Sequence, residues 1–316
     1  MRGGDCRAVP KLGPEQTTGA PGYALSVMSG EASGPAASAL RAALAVMALV
    51  YRIGLAAFLA PYRLGLRKRR RLARPVISVG NMTFGGAGKT PTVRTIAAEL
   101  QARGLKPVIL SRGHGGKRNK RATIVSDGAE RRLSAAECGD EPAMLADLLP
   151  GAPVIIGKNR SESGQLAIEQ FDPDVILLDD GLQYWQLHRD VDVVLINAVE
   201  PFGYGRLMPR GALREPPAGL KRAQVIVVTN SDRVSPERLA DVRRQIAALA
   251  PDSLIVEAVH KPIGLRFLNS ASDAGAQGLG TWMFPEARPG HGCPGRSGAS
   301  WRKNAPVVRT RVMSRR

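Results

Sequence analysis

Val76-Ile77-Ser78-Val79-Gly80-Asn81-Met82-Thr83-Phe84-Gly85-Gly86-Ala87-Gly88-Lys89-Thr90-Pro91 decides the fold of this 316-residue chain. A β-branched run passes straight into a glycine loop, and Pro91, favoured in a first helical turn, opens the segment that follows. Strand, glycine loop and helix in that order are the setting of a phosphate-binding loop. Glycines let backbone N–H groups curl around phosphate oxygens, and the helix N-terminus adds its dipole. Lys89 reaches the β/γ-phosphates, and the Thr90 hydroxyl can ligate Mg2+. The candidate nucleotide contacts are therefore Thr83, Phe84, Gly85, Gly86, Ala87, Gly88, Lys89 and Thr90. Thr83 stands where GxxxxGK[ST] has its first glycine, so the match is to the GGxGKT half. Phe84 takes the place of the lysine found in KGGxGKT-type loops.

Downstream of the loop, short apolar runs alternate with helical stretches. Strands are predicted at Val76–Val79, Val108–Leu110, Val154–Ile156, Val175–Leu178, Val191–Ile196, Val225–Val228 and Leu254–Ala258. Helices are predicted at Pro91–Arg103, Glu141–Leu149, Ser161–Gln170 and Pro236–Leu249. Strands that are continuously apolar imply burial on both faces, as in a parallel sheet covered by helices. The fold class expected is α/β: a P-loop NTPase-like, doubly wound, mainly parallel sheet over residues 75–269.

A phosphate loop needs a carboxylate at the end of a buried strand to hold Mg2+. Val175-Ile176-Leu177-Leu178-Asp179-Asp180-Gly181 has that form, with Asp179 fixing the metal and Asp180 entering the same crevice. Gly139-Asp140-Glu141-Pro142 sets two acids at a helix start, where carboxylates are favoured in any case. Either they cap the helix, or one takes the proton from an attacking hydroxyl. Arg112, Arg160 and Arg214 each follow a strand or close a loop, positions that suit phosphate clamping and equally suit solvated loop charges.

Upstream, residues 1–36 mix Gly, Pro, Ser and Ala without a period and are expected to be a disordered leader. Ala42 to Pro61 is apolar except for Arg52, about the roughly 20 residues a bilayer span needs. Seven basic residues and no acid follow between Arg63 and Arg74. Three placements are open. A spanning helix buries Arg52 at about 2.5–3.5 kcal/mol, an interfacial helix lets it snorkel, and a core helix packs inside the protein. The basic run would attract anionic lipid at about 1 kcal/mol per charge, so residues 37–74 are expected to associate with a membrane and leave the rest cytoplasmic.

Composition agrees with this division. Net charge is +18, from 45 Lys+Arg against 27 Asp+Glu, and most of the excess lies in the 63–74 run and in Trp301–Arg316. The middle is nearly balanced, so a globally basic nucleic-acid binder is not the natural reading. Cys6, Cys138 and Cys293 form no CxxC or Cys/His cluster, which argues against a zinc site or a disulfide framework. No obligate protein partner is indicated. Residues 270–316, rich in Gly, Pro, Ser and Arg, are expected to form an irregular basic tail.

Taken together, SVGNMTFGGAGKTP, ILSRGHGG, GDEP, GKNR, ILLDDGLQYWQLHRD and GYGRLMPRGALREP resemble the tetraacyldisaccharide 4′-kinases over roughly residues 40–268. The resemblance implies transfer of the ATP γ-phosphate, with Mg2+, to the 4′-hydroxyl of a tetraacylated glucosamine disaccharide 1-phosphate. The site would be the cytoplasmic face of the bacterial inner membrane. It implies that Asp140 is the base, that Glu141 is a metal or water ligand, and that Asp179 and Asp180 are the strand-end acids. Arg160 and Arg214 become contacts near the transferring phosphate, with Glu215 joining the metal set. Tyr184 and Asn197 replace a histidine and an acid usual in that family. Residues 270–316 lack the family's later histidine-bearing and Thr-Glu-Lys-Asp-type motifs, so the resemblance also implies a truncated or frame-shifted C-terminus and impaired turnover. Two other functions fit the loop: a membrane-associated nucleotide-binding switch, for which Thr229-Asn230-Ser231-Asp232 is a distant guanine-reading echo, and an inactive paralogue that only binds.

Overall fold

In the computed structural model, which describes residues 20–259 and 311–312, the decisive stretch folds as β1 (Val76–Asn81), the glycine loop and α3 (Lys89–Ala102). Ahead of them lie α1 (Ala20–Ser29) and α2 (Pro35–Arg63). After them come β2 (Pro107–Ser111), β3 (Thr123–Ser126), α4 (Ala135–Cys138), α5 (Asp140–Leu148), β4 (Val154–Ile156), α6 (Arg160–Phe171) and β5 (Val175–Asp179). The order ends with β6 (Val191–Asn197), β7 (Val225–Thr229), α7 (Pro236–Leu249), β8 (Leu254–Ala258) and β9 (Arg311–Val312).

The strands form one sheet in the order β3-β4-β2-β5-β1-β6-β7-β8-β9. Pairing is parallel from β4 to β8, and the two outer strands β3 and β9 run antiparallel. β1 lies between β5 and β6, with Val79 opposite both Asp179 and Val193. The glycine loop and the two strand-end acids therefore emerge side by side at the carboxyl edge, where ligands bind in open α/β sheets.

Alternation along each strand divides the core between two helical layers. Val79, Ile109, Leu177 and Val193 meet α3 through Val93 and Ala97 and meet α5 through Leu145. On the other face Val76, Leu110, Ile176 and Leu178 pack with Ala167 of α6, while Val194, Ile196 and Val228 pack with Val242 and Ile246 of α7. The i, i+4 spacing of Val93/Ala97 and Val242/Ile246 gives each helix one apolar stripe. A doubly wound sheet is the result, as expected.

Three expectations are corrected. Ala20–Ser29, inside the presumed irregular leader, is helical, and the long apolar helix starts at Pro35. Thr123–Ser126 is a strand that periodicity missed, because an edge strand of four mixed residues carries no buried-run signature. Within the presumed irregular tail, Arg311–Val312 pairs antiparallel with β8. The remaining leader and tail residues lie outside the described residues.

Helix α2 is not a core helix. Its most apolar window is 6% buried, and Val46, Met47, Leu49, Val50, Ile53 and Phe58 are exposed. It meets the body through Leu59 and Tyr62, which cluster with Trp185. The basic run after it is divided in use. Arg69 stacks 4.7 Å from the centroid of Trp185, and Arg71 and Arg74 pair with Asp190 and Asp172. Arg63, Lys68 and Arg70 make no ion pair among the described residues.

Candidate active site

Two glycines allow the acidic turn to cross β1. A Cβ on Gly80 would stand 2.6 Å from Leu182 Cβ, and one on Gly181 would stand 2.7 Å from Ser78 Oγ. This close passage brings the Asp179-Asp180 turn over the root of the glycine loop. Asp180 takes a left-handed φ of 52°, a conformation Asp tolerates better than most residues. Its carboxylate then meets two cations. Arg214 Nη1 donates to Oδ1 and Oδ2 at 3.0 and 2.9 Å, and Lys89 Nζ lies 3.7 Å from Oδ1. Lys89 Nζ also donates to Asn81 Oδ1 at 3.3 Å.

The loop itself is held from the opposite side by the segment that ends in Leu213-Arg214-Glu215. Phe84 N–H donates to Ala212 O and Arg214 N–H to Met82 O, each at 2.8 Å, with Thr83 bridged to Leu213. Phe84, exposed at the tip, carries the Arg214 guanidinium 4.6 Å above its ring centroid. The residue replacing the usual loop lysine thus supports an arginine. Gly85 and Gly88 occupy positive φ at 111° and 83°, which glycine adopts without steric cost.

Asp179 sits behind this group, 1% exposed at the end of β5. Its Oδ2 accepts from Ser111 Oγ at 3.3 Å, and Oδ1 has no hydrogen-bond partner. Burial first, then the charges of Glu141 and Asp180, push its carboxyl up to about 7 from an ordinary value near 3.8, against the pull of Lys89. Glu141, the source of the first of these charges, lies at the start of α5. Asp140 stands next to it, exposed in the first helical turn. That turn is locked to the Ser111-Arg112-Gly113-His114 loop, since a Cβ on Gly139 would meet His114 O at 2.4 Å.

Arg160 opens α6 and is buried, 4% exposed. Its Nη1 donates to Gly157 O at 3.1 Å, its Nε has no partner, and its guanidinium lies 5.3 Å from the Tyr184 ring centroid. Tyr184 Oη accepts the Arg160 N–H at 3.0 Å, so Tyr184 anchors this helix start. Burial and Arg112 lower the Arg160 pKa, while Tyr184, Asp179 and Asp180 raise it.

Glu215, expected among the metal ligands, lies in a buried pair: its Oε1 accepts from Arg222 Nη2 at 2.6 Å and from Gln183 Nε2 at 2.9 Å. These two bonds tie the loop to Arg222 and Gln183. Asn81, Ser111 and Gln183 are site residues that sequence reasoning did not assign. They lay within or beside the quoted motifs, and only contact geometry gives them roles. Asn197, at the end of β6, accepts from Asn230 Nδ2 at 3.1 Å.

Among the described residues no three His, Cys, Asp or Glu side chains gather to hold a metal. Oxygen donors suited to Mg2+ are nonetheless present in the Thr90 hydroxyl and the unpartnered Asp179 Oδ1. A small hard cation that keeps waters and takes most other ligands from phosphates needs few protein donors, so the residues fit it.

The family model described as Tetraacyldisaccharide-1-P 4′-kinase matches residues 40–278. Tetraacyldisaccharide 4′-kinase of Geobacter sulfurreducens is 47% identical over 66% of this chain and 59% of its own length. That of Anaeromyxobacter dehalogenans strain 2CP-C is 44% identical over 74% of this chain and 62% of its own. The crystal structure of LpxK from Aquifex aeolicus in complex with ATP superposes with a TM-score of 0.60 at 32% identity, covering 69% of this chain and 64% of that one. The chain thus spans about three fifths of the curated relatives' length. The family match spans most of the sheet together with the glycine loop and the acidic turn: the chain belongs to the tetraacyldisaccharide-1-P 4′-kinase family.

Proposed function

We propose that this chain transfers the γ-phosphate of ATP to the 4′-hydroxyl of a tetraacylated glucosamine disaccharide 1-phosphate, at the cytoplasmic face of the bacterial inner membrane. The observation that carries the reading is the meeting of Lys89 and Arg214 on Asp180 at the mouth of the glycine loop. Two cations held by one carboxylate leave donor capacity directed at the place a triphosphate occupies above such a loop.

In this reading the loop N–H groups and Lys89 bind the β/γ-phosphates, and Arg214 and Arg160 offset charge on the transferring group. Asp140, exposed at the α5 start, accepts the proton of the sugar hydroxyl as the O–P bond forms and the bond to ADP breaks. Thr90 and Asp179 would hold a bound Mg2+, with Glu141 as a further direct or water-mediated ligand, and the metal would supply charge neutralisation at the phosphate oxygens. The exposed apolar face of α2, and Arg63, Lys68 and Arg70, which make no ion pair among the described residues, support docking at an anionic lipid surface, where the acyl chains of the acceptor reside.

The test is mass spectrometry of the lipid after incubation of purified protein with a tetraacyl disaccharide 1-phosphate and Mg·ATP. A 4′-phosphorylated product is expected. No product above the Lys89→Ala background, with lipid shown to be accessible, overturns the reading. GTP supporting tight binding in place of ATP would favour the nucleotide switch instead.

A further inference from the structure

The long apolar helix touches the phosphate site. Tyr51, in the middle of α2, donates its hydroxyl hydrogen to the backbone carbonyl of Arg214 at 2.6 Å, across 163 positions of sequence. Its neighbours on the helix, Val50, Arg52 and Ile53, are exposed, whereas Tyr51 is half-buried. Arg214 is thereby fixed at three points. Its N–H donates to Met82 O at the end of β1, its carbonyl accepts from Tyr51, and its guanidinium holds Asp180 over the Phe84 ring. Burial, followed by the nearby Glu215 charge, raises the Tyr51 pKa, so the phenol remains a donor across the physiological range.

We propose that Tyr51 is a positioning residue for Arg214, so that α2 belongs to the phosphoryl-transfer apparatus and is not a membrane anchor alone. This rests on the kinase reading of the site. A carbonyl held from one side and an N–H held from the other fix the peptide from which the Arg214 side chain departs. Misplacing a charge-stabilising group by about 1 Å can cost roughly 100-fold in rate. Losing the one hydrogen bond while keeping the ring costs less, because the Met82 and Asp180 anchors remain.

The test is Tyr51→Phe in the full chain bound to vesicles, compared with wild type by two readouts. Kinase assays are expected to give a roughly three- to tenfold lower kcat with KM for ATP within about twofold, the size of one lost hydrogen bond acting on the transition state. Hydrogen exchange at residues 213–215 is expected to speed up, while exchange in α3 stays at the wild-type rate. Unchanged exchange at 213–215 overturns the proposal, and so does an unchanged kcat in a chain that forms product. If wild type forms no product the kinase reading fails, and the exchange measurement alone decides whether Tyr51 holds Arg214.

Discussion

Arg214 grips Asp180 through a single nitrogen, Nη1, at 3.0 and 2.9 Å, and so shares with Lys89 a carboxylate that neither cation monopolises. This shared anchor makes the two cations unequal in their consequences. Lys89→Ala removes the loop's phosphate ligand and is expected to lower kcat/KM by at least about 100-fold, with ATP binding by calorimetry also weakened. Arg214→Ala should leave ATP binding within a few-fold of wild type and lower kcat by about 100-fold. Equal losses of binding in both variants would remove the distinction.

Asp179 sets a pH dependence whose sign follows from burial. With its carboxyl raised from near 3.8 to about 7 in the folded chain, the fold binds a proton that the unfolded chain has released. Metal-free stability therefore declines as pH rises from about 4 to about 7, by up to a few kcal/mol, and stays low above. Asp179→Asn is expected to flatten this decline in thermal melts. Mg·ATP should raise the Tm of wild type most above pH 7 and that of Asp179→Asn much less. Parallel melting profiles for the two proteins would refute this account.

Glu215 separates a structural from a metal role. Glu215→Gln takes from the largely buried Arg222 its nearer counter-charge and leaves only Asp192, at 4.0 Å, a change costing about 2–4 kcal/mol. For a domain of this size the Tm should fall by roughly 5–15 °C at all Mg2+ concentrations. A metal ligand would instead show a right-shifted Mg2+ dependence with little change in metal-free stability.

Helix α2 predicts where the protein sits. Val50→Glu together with Ile53→Glu alters two exposed apolar positions and should lower co-sedimentation with anionic vesicles by at least about tenfold. ATP binding in detergent-free buffer should be unchanged. Wild-type binding should also weaken with added salt, since Arg63, Lys68 and Arg70 act through screened charge. Salt-independent binding would point to apolar contact alone.

Much of this architecture is legible in the sequence. A glycine loop between a β-branched run and a proline-led helix, followed by VILLDDG, carries local signatures of backbone conformation and burial. Those signatures predicted seven strands, four helices and the doubly wound class, with ends shifted by at most two residues. The Arg160, Asp140 and Asp179 positions were likewise readable as motif residues. Partners were not. That Arg160 is buried on Tyr184, that Glu215 is locked to Arg222, and that Tyr51 reaches Arg214 depend on contacts between residues far apart in sequence. Such contacts leave no local period, because a residue's hydrogen-bond partner is chosen by how layers pack and not by its neighbours along the chain. The sequence by itself determined that a phosphate loop and an acidic strand end exist. Only the tertiary structure, by placing β1 between β5 and β6, decided that they face each other and that a membrane-type helix closes on the same arginine.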